Sequence, residues 1–312
     1  MEKCDPTILR DRAAMLSKAR GFFSERGVVE VDCPVLSSSA SIDAHIDLFT
    51  TRFCDGAIRY MHSSPEYGMK RLLAMGMPDI YQMSHVFRDG ELGKRHNPEF
   101  MLAEWYRLGF SFEAMIQETV DFVALFVDSH PVEVITYREV IKKHAGIDYV
   151  SSSDEELMCC LNKRGIEIYE GLGDEGRDAI LNMIVAAIVE PNLDKDVVTV
   201  VKYYPASQAA LAQKKTVGDE AVAERFEVYF GGYELANGYH ELGDAEEQSR
   251  RFQDANEERM RMGKDSLPLD ESFLEALDAG LPDCCGVAVG IDRLMMIRHG
   301  ADKIADVLPF SW

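Results

Sequence analysis

Basic residues are the scarce commodity in this chain: 33 lysines and arginines stand against 54 aspartates and glutamates, a net charge of −21. A general nucleic-acid binder neutralises phosphates with a basic surface, so this balance argues against a large polynucleotide substrate. No apolar run approaches the ~18 residues a membrane-spanning helix needs. The opening "MEKCDPTILRDRAAML" mixes charge with apolar residues and has no signal-peptide core, so a cytoplasmic location is expected. Cysteine is sparse and odd in number, seven in all, and Cys159-Cys160 and Cys284-Cys285 are adjacent pairs badly placed for disulfides. No CxxC or CxxH spacing suggests zinc. Repeats and low-complexity tracts are also missing.

What is present is a 46% hydrophobic content in 312 residues, enough for one large or two modest cores. Asp5 and Pro6 open a pattern with Leu9, Met15, Leu16, Ala19, Phe22 and Phe23 at helical spacing, predicting a helix over 6–26. "VVEVDCPVL" reads as a strand closed near Pro34. Residues 80–87 and 100–108 read as two strands, 111–127 as a helix and 245–262 as a polar helix. From about 130 to 200 the pattern is mostly helical, through "SSSDEELMCCLNKRGI" and "DEGRDAILNMIVAAIVEPNL"; "VVTVVKYY", "RFEVYFGGYELANGY" and "CCGVAVGI" read as strands. Antiparallel strands with helices before and between them indicate an α+β fold.

Three stretches carry chemistry. In "FEVYFGGYELANGYHEL", Gly231-Gly232 fits a two-residue hairpin turn placing Tyr229 opposite Glu234, with Glu227 a same-face diagonal neighbour at roughly 7–8 Å. Two carboxylates on one face suit Mg²⁺ carrying phosphates, and they equally fit a solvated acidic edge. Glu241 would point to the opposite face unless Gly238 hosts a bulge. In "CGVAVGIDRLMMIRHG", small residues from Gly286 to Gly290 admit a ligand close to the backbone, and Asp292 is placed to cap a helix whose first turn carries Arg293, a setting that suits an anion. In "VFRDGELGKRHNPEFMLAEWYR", mixed charge collects between two apolar strands. An exposed loop tip accounts for Glu91, Lys94, Arg95 and His96, but not for Arg88, Glu104 and Tyr106 inside apolar runs. A fixed arginine offsets charge developing at phosphorus, and Phe100 offers an aromatic face for a base.

Together these segments resemble the three signature motifs of class II aminoacyl-tRNA synthetases: the helix and strand ending at Pro34, "FRDGELGKRHNPEF", and "GVAVGIDRL". Through "RHNPEF", "GGYELANGYHEL" and "GIDRL" the lysine-specific branch is the nearest in character. The resemblance spans essentially residues 1–312 as one catalytic core, an antiparallel sheet flanked by helices, with the helical subregion at about 130–200 inserted between motifs two and three. It implies that Arg88 holds the α-phosphate and the amino-acid carboxylate, that Arg293 holds the γ-phosphate, and that His96, Asn97, Glu99, Phe100, Leu235 and Gly290 serve ATP. Glu227 and Glu234 match a magnesium-holding pair, Glu234 also serving ATP. Ser64 and Glu66 match the site for the substrate's backbone-side amine. Glu104, Tyr106, Asn237 and Glu241 match the pocket for a lysine-type ammonium, and burying that ammonium requires carboxylates to meet it.

Two departures separate the chain from a lysyl-tRNA synthetase. Motif one begins near residue 6, with no room before it for an anticodon-binding barrel, and Ala288 in "GVAVG" stands where the tRNA-charging enzymes have glycine. Short relatives with this alanine are the elongation factor P–(R)-β-lysine ligases. The resemblance therefore implies ATP- and Mg²⁺-dependent activation of (R)-β-lysine and its transfer to a lysine of elongation factor P, with a homodimer built through motif one. A core that charges tRNA or makes free lysyl-adenylate, and an inert regulatory subunit, are the alternatives. An inert subunit should have lost Arg88, Glu234 or Arg293, and all three are present.

Overall fold

The computed structural model describes residues 5–311, which divide into two compact units, residues 5–128 with 241–311 and residues 129–240. The first unit opens with α1 (Pro6–Glu25), where the Asp5 carboxylate accepts from the Thr7 N–H at 2.8 Å and Pro6 fills the first turn. The expected strand around Pro34 shrinks to β1 (Val29–Glu30) and β2 (Leu36–Ser37). Proline has no N–H for a ladder, and the Cys33 N–H goes to the Gln82 side chain at 2.7 Å. Strands β3 (Thr50–Arg52) and β4 (Ile58–Met61) join β2 in a small antiparallel sheet. Helix α2 (Glu66–Ala74) precedes the hairpin of β5 (Ile80–Phe87) and β6 (Glu99–Leu108), paired from Ile80–Tyr106 to Phe87–Glu99, and α3 (Phe112–Val127) follows. This hairpin is the one anticipated around the charged stretch.

The second unit contains β7 (Val132–Thr136), α4 (Tyr137–Ala145), α5 (Asp154–Lys163), α6 (Arg177–Ile184), β8 (Val198–Pro205), β9 (Lys214–Val217), β10 (Glu220–Phe230) and β11 (Tyr233–His240). Its strands run in the order β7-β8-β10-β11, with β9 on β10, and only the β7–β8 pair among them is parallel. The helical stretch anticipated at 130–200 thus shares a unit with strands up to His240. The helix expected through "NMIVAAIVEPNL" changes pitch after Ile184, becoming a π turn over Val185–Val189 and a 3₁₀ turn over Glu190–Asn192, where Pro191 cannot donate. Tyr137, Ile141, Leu157, Leu161, Ile184 and Val201 lie in this unit's core.

The chain returns to the first unit with α7 (Ala245–Arg261), α8 (Glu271–Gly280), β12 (Cys284–Gly290) and α9 (Ile291–His299). Strand β12 runs antiparallel to β6, so this unit's main sheet is ordered β1-β5-β6-β12. An aromatic cluster fixes the sheet against α1 and α3: Phe23 stacks on Tyr81 and Phe122 at 4.2 and 5.3 Å, with Trp105 edge-on. Six of the seven cysteines lie among the described residues, all as free thiols.

Candidate active site

Strand β6 places Glu104 and Tyr106 two residues apart, so both side chains take the same face. Helix α2 places Glu66 and Lys70 one turn apart. Glu241 begins the segment that returns to the first unit, and its N–H bonds the Cys284 carbonyl at 3.0 Å beside β12. These elements bring three carboxylates around one lysine. Lys70 Nζ lies 2.7 Å from Glu66 and 2.6 Å from Glu241, and Lys70 is 0% exposed. Glu104 accepts from Ser64 Oγ and from the Tyr106 hydroxyl, each at 2.7 Å. Ser64 Oγ also accepts the Glu66 N–H at 3.0 Å, so one hydroxyl ties the start of α2 to the Glu104 carboxylate.

Burial sets the electrostatics here. It pushes the Glu104 carboxyl up to about 7, helped by the charge of Glu66, against hydrogen bonds from Ser64 and Tyr106. It pushes Glu241 up to about 8, against the pull of Lys70. For Lys70 burial opposes the charge, but Glu241 and Glu66 outweigh it and hold the ammonium well above its ordinary range. The lysine is therefore the charged member, and the carboxylates compete for what positive charge there is.

Gly286 is what lets these groups close up. A Cβ there would lie 2.3 Å from both Glu241 Oε1 and Tyr106 Cε1. Gly286→Ala should displace both side chains together and raise KM for the amino acid by at least tenfold, with a smaller change in KM for ATP. Steady-state kinetics with each substrate varied in turn measures the split. Ala288, two residues on, is half-buried and pairs with Glu104 in the β6–β12 register.

The second group of residues lies at the open end of the β5–β6 hairpin. Arg88 follows β5 directly, its N–H on the Pro98 carbonyl at 2.9 Å. Its guanidinium sits over the Phe100 ring, 5.0 Å from the centroid, with Glu91 at 3.8 Å. Its Nε is buried without a hydrogen-bond partner, a donor in want of an acceptor. A planar cation supported on a ring with an unsatisfied donor is suited to bidentate capture of a carboxylate or phosphate. Buried Asn97 donates to the Glu99 carbonyl at 2.6 Å, and a Gly93–His96 bridge closes the loop. Arg293 Nη2 donates to His96 Nε2 at 2.8 Å, so His96 is the acceptor and neutral; burial, then Arg293, depresses its pKa.

The helix cap expected of Asp292 is not formed. Gly290 is the N-cap residue of α9, and no side chain caps it. Asp292 is instead buried, 2.5 Å from Arg12 of α1, and accepts the Met101 N–H at 2.7 Å. It ties the first turn of α9, next to Arg293, to the start of β6, next to Phe100. Within a packed interior a carboxylate goes to the cation that neutralises it rather than to a local N–H.

In the second unit the β10–β11 hairpin turns on Gly231 and Gly232, both at positive φ (62° and 84°), and Tyr229 stands opposite Glu234 as expected. The bulge, however, is not at Gly238. The register slips between Val228 and Tyr229, leaving the extra residue at buried Leu235, and Glu227 stands opposite Asn237. The Glu227 carboxylate also has protein partners. It accepts from Tyr204 and Arg225, each at 2.6 Å, and from the Tyr229 hydroxyl. Among the described residues no group of three or more His, Cys, Asp or Glu side chains could hold a metal ion. That absence does not bear on a two-carboxylate site completed by substrate phosphates, and a magnesium ion held by Glu227 and Glu234 would share the Glu227 carboxylate with Arg225. Asn237 bonds within this same unit, to Arg225 Nε at 3.3 Å and the Tyr239 hydroxyl at 3.0 Å.

The family of class II tRNA synthetases (D, K and N) matches residues 5–312. Curated relatives include the elongation factor P–(R)-β-lysine ligases of Salmonella dublin, Salmonella paratyphi B and Salmonella heidelberg. Each is 42% identical over 311 residues, covering 98% of this chain and 95% of the relative. The chain belongs to the class II tRNA synthetase family. As a synthetase-family ligase it uses ATP. The Glu66–Glu104–Glu241 cluster and Arg88 both lie in the first unit, while Glu227, Glu234, Leu235 and Asn237 lie in the second.

Several residues escaped the sequence reading of this synthetase. Lys70 carried a signal, a lysine in helical register with Glu66 beside buried Met69 and Leu73. Tyr204, Arg225 and Arg12 carried none, since nothing local in the chain announces which distant carboxylate each one meets.

Proposed function

We propose that this protein activates (R)-β-lysine with ATP and transfers it to a lysine of elongation factor P. The observation that carries the reading is the Glu66–Glu104–Glu241 cluster around buried Lys70, whose negative charge exceeds what Lys70 neutralises, in the same unit as an arginine with an unmatched donor. A substrate with two ammonium groups and one carboxylate has the matching chemistry. The names of the relatives, at 42% identity over nearly their full length, support the same acceptor.

In the first step a β-lysine carboxylate oxygen attacks the α-phosphorus of ATP and pyrophosphate leaves, with Arg88 offsetting the charge that develops. Neutral His96 holds Arg293 ready for the far phosphates. In the second step the acceptor lysine's ε-nitrogen attacks the adenylate carbonyl, AMP departs, and the nitrogen gives up its proton as the amide forms. Glu227 and Glu234 are the carboxylates that would hold Mg²⁺, and the ion would supply positive charge to screen the phosphates of ATP. The reading carries with it a homodimer through α1 and a cytoplasmic setting.

The test is intact-mass analysis of elongation factor P incubated with the enzyme, ATP and Mg²⁺, with (R)-β-lysine or α-lysine in separate reactions and tRNA in a parallel one. The expected result is a lysyl-sized mass gain on the protein, larger with (R)-β-lysine. Charged tRNA beside unmodified protein would instead identify a tRNA-lysylating core and overturn the role given to Ala288.

A further inference from the structure

Charge in the amine pocket does not balance. Three carboxylates, Glu66, Glu104 and Glu241, share the single ammonium of Lys70, which leaves two negative charges when all are ionised. Glu104 and Glu241 are each 2% exposed, so water does little to screen them. The hydrogen-bond partners of Glu104 are two hydroxyls, neutral donors that stabilise a carboxylate without cancelling its charge. Lys70 is the cation that bears on both Glu104 and Glu241. Tyr106 on β6 is held well above its ordinary range by burial. Burial likewise raises the Cys33 thiol beyond β1 to about 11 and the Cys284 thiol on β12 still further, so all three stay neutral. Arg71, next to Lys70 on α2, bears on Cys33.

A dry cluster with surplus negative charge has two ways to reduce it: hold a proton or bind a cation. We propose that the pocket captures its substrate by exchange, the empty Glu66–Glu104–Glu241 cluster keeping one proton on a carboxyl and releasing it to solvent as the substrate's ammonium groups enter. Lys70 is then a positioning residue. It anchors Glu66 and Glu241 and sets the ionised pocket at two negative charges, the complement of a substrate with two ammoniums. A monoammonium amino acid leaves the proton in place and binds more weakly. This inference rests on the reading of the pocket as the amine site of a diammonium amino acid.

The sign of the pH dependence follows. Binding needs the carboxyl deprotonated, so affinity for the amino acid falls as pH drops from 8 to 6, by up to about tenfold per pH unit once the proton is fully held. Calorimetric titration of (R)-β-lysine into the full chain at pH 7, in phosphate, HEPES and Tris, reads the protons released from the slope of heat against buffer ionisation enthalpy, after subtracting the ligand's own titration. About one proton released by the unaltered protein, falling near zero in Glu104→Gln, is expected. Binding with no buffer dependence would overturn the exchange while leaving the ligase reading intact. An undiminished release in Glu104→Gln would overturn the assignment to this cluster. No binding of (R)-β-lysine or of α-lysine would overturn both.

Discussion

Lys70→Met should lower the unfolding free energy by about 3–5 kcal/mol at pH 8, the cost typical of removing one partner from a buried ion pair. Methionine fills nearly the same volume, so the loss is electrostatic and not a cavity effect. Glu66 and Glu241 lose their common partner, at 2.7 and 2.6 Å, and face Glu104 with no cation between them. The deficit should depend on pH in a defined direction. Glu104 and Glu241 have carboxyls raised to about 7 and about 8, so the stability linked to their protonation is present at acid pH and lost as pH rises through that range. In the variant the absent lysine raises them further, and at pH 5 the protonated carboxyls no longer need a counter-cation. Denaturant unfolding at pH 5 and pH 8 should show a deficit several-fold smaller at the lower value. An equal loss at both would mean that Lys70 supports the fold by packing alone.

Arg88→Ala should reduce β-lysine-dependent exchange of pyrophosphate into ATP by about 10²–10³-fold, the scale for losing one preorganised group that meets developing charge. Stability should hardly change. The side chain is 28% exposed, its contact with Phe100 at 5.0 Å is worth about 0.5–1 kcal/mol, and its Nε has no partner to lose. Arg88→Lys should recover only part of the activity, because an ammonium is a point charge and cannot grip two oxygens in one plane. Thermal melts alongside the exchange assay separate lost chemistry from lost fold.

Local chemistry made much of this protein legible before any tertiary information. Asp5 and Pro6 start α1 at the expected place because a cap and a fixed φ act within one turn. The β5–β6 hairpin and the Gly231-Gly232 turn were readable for a similar reason: alternation and positive-φ glycines are properties of a few adjacent residues. Arg88, Glu104 and Tyr106 stood out as polar side chains in apolar runs, and one hairpin carries all three.

Errors came where the energy is decided by distant partners. Asp292 looked like a cap, and it is a buried counter-ion to Arg12, nearly the whole chain away in sequence. For Glu227 the hairpin pattern suggested a magnesium role and gave no sign that Arg225 and two tyrosines also bond its carboxylate. Gly238 was a possible bulge site, and the bulge in this hairpin forms at buried Leu235 instead. Short-range order in the sequence thus specified the elements, the turns and the residue types of the site. Tertiary packing chose which charges neutralise one another and how much water they keep, because a buried carboxylate's behaviour is set by the cation within about 3 Å of it and not by its neighbours along the chain.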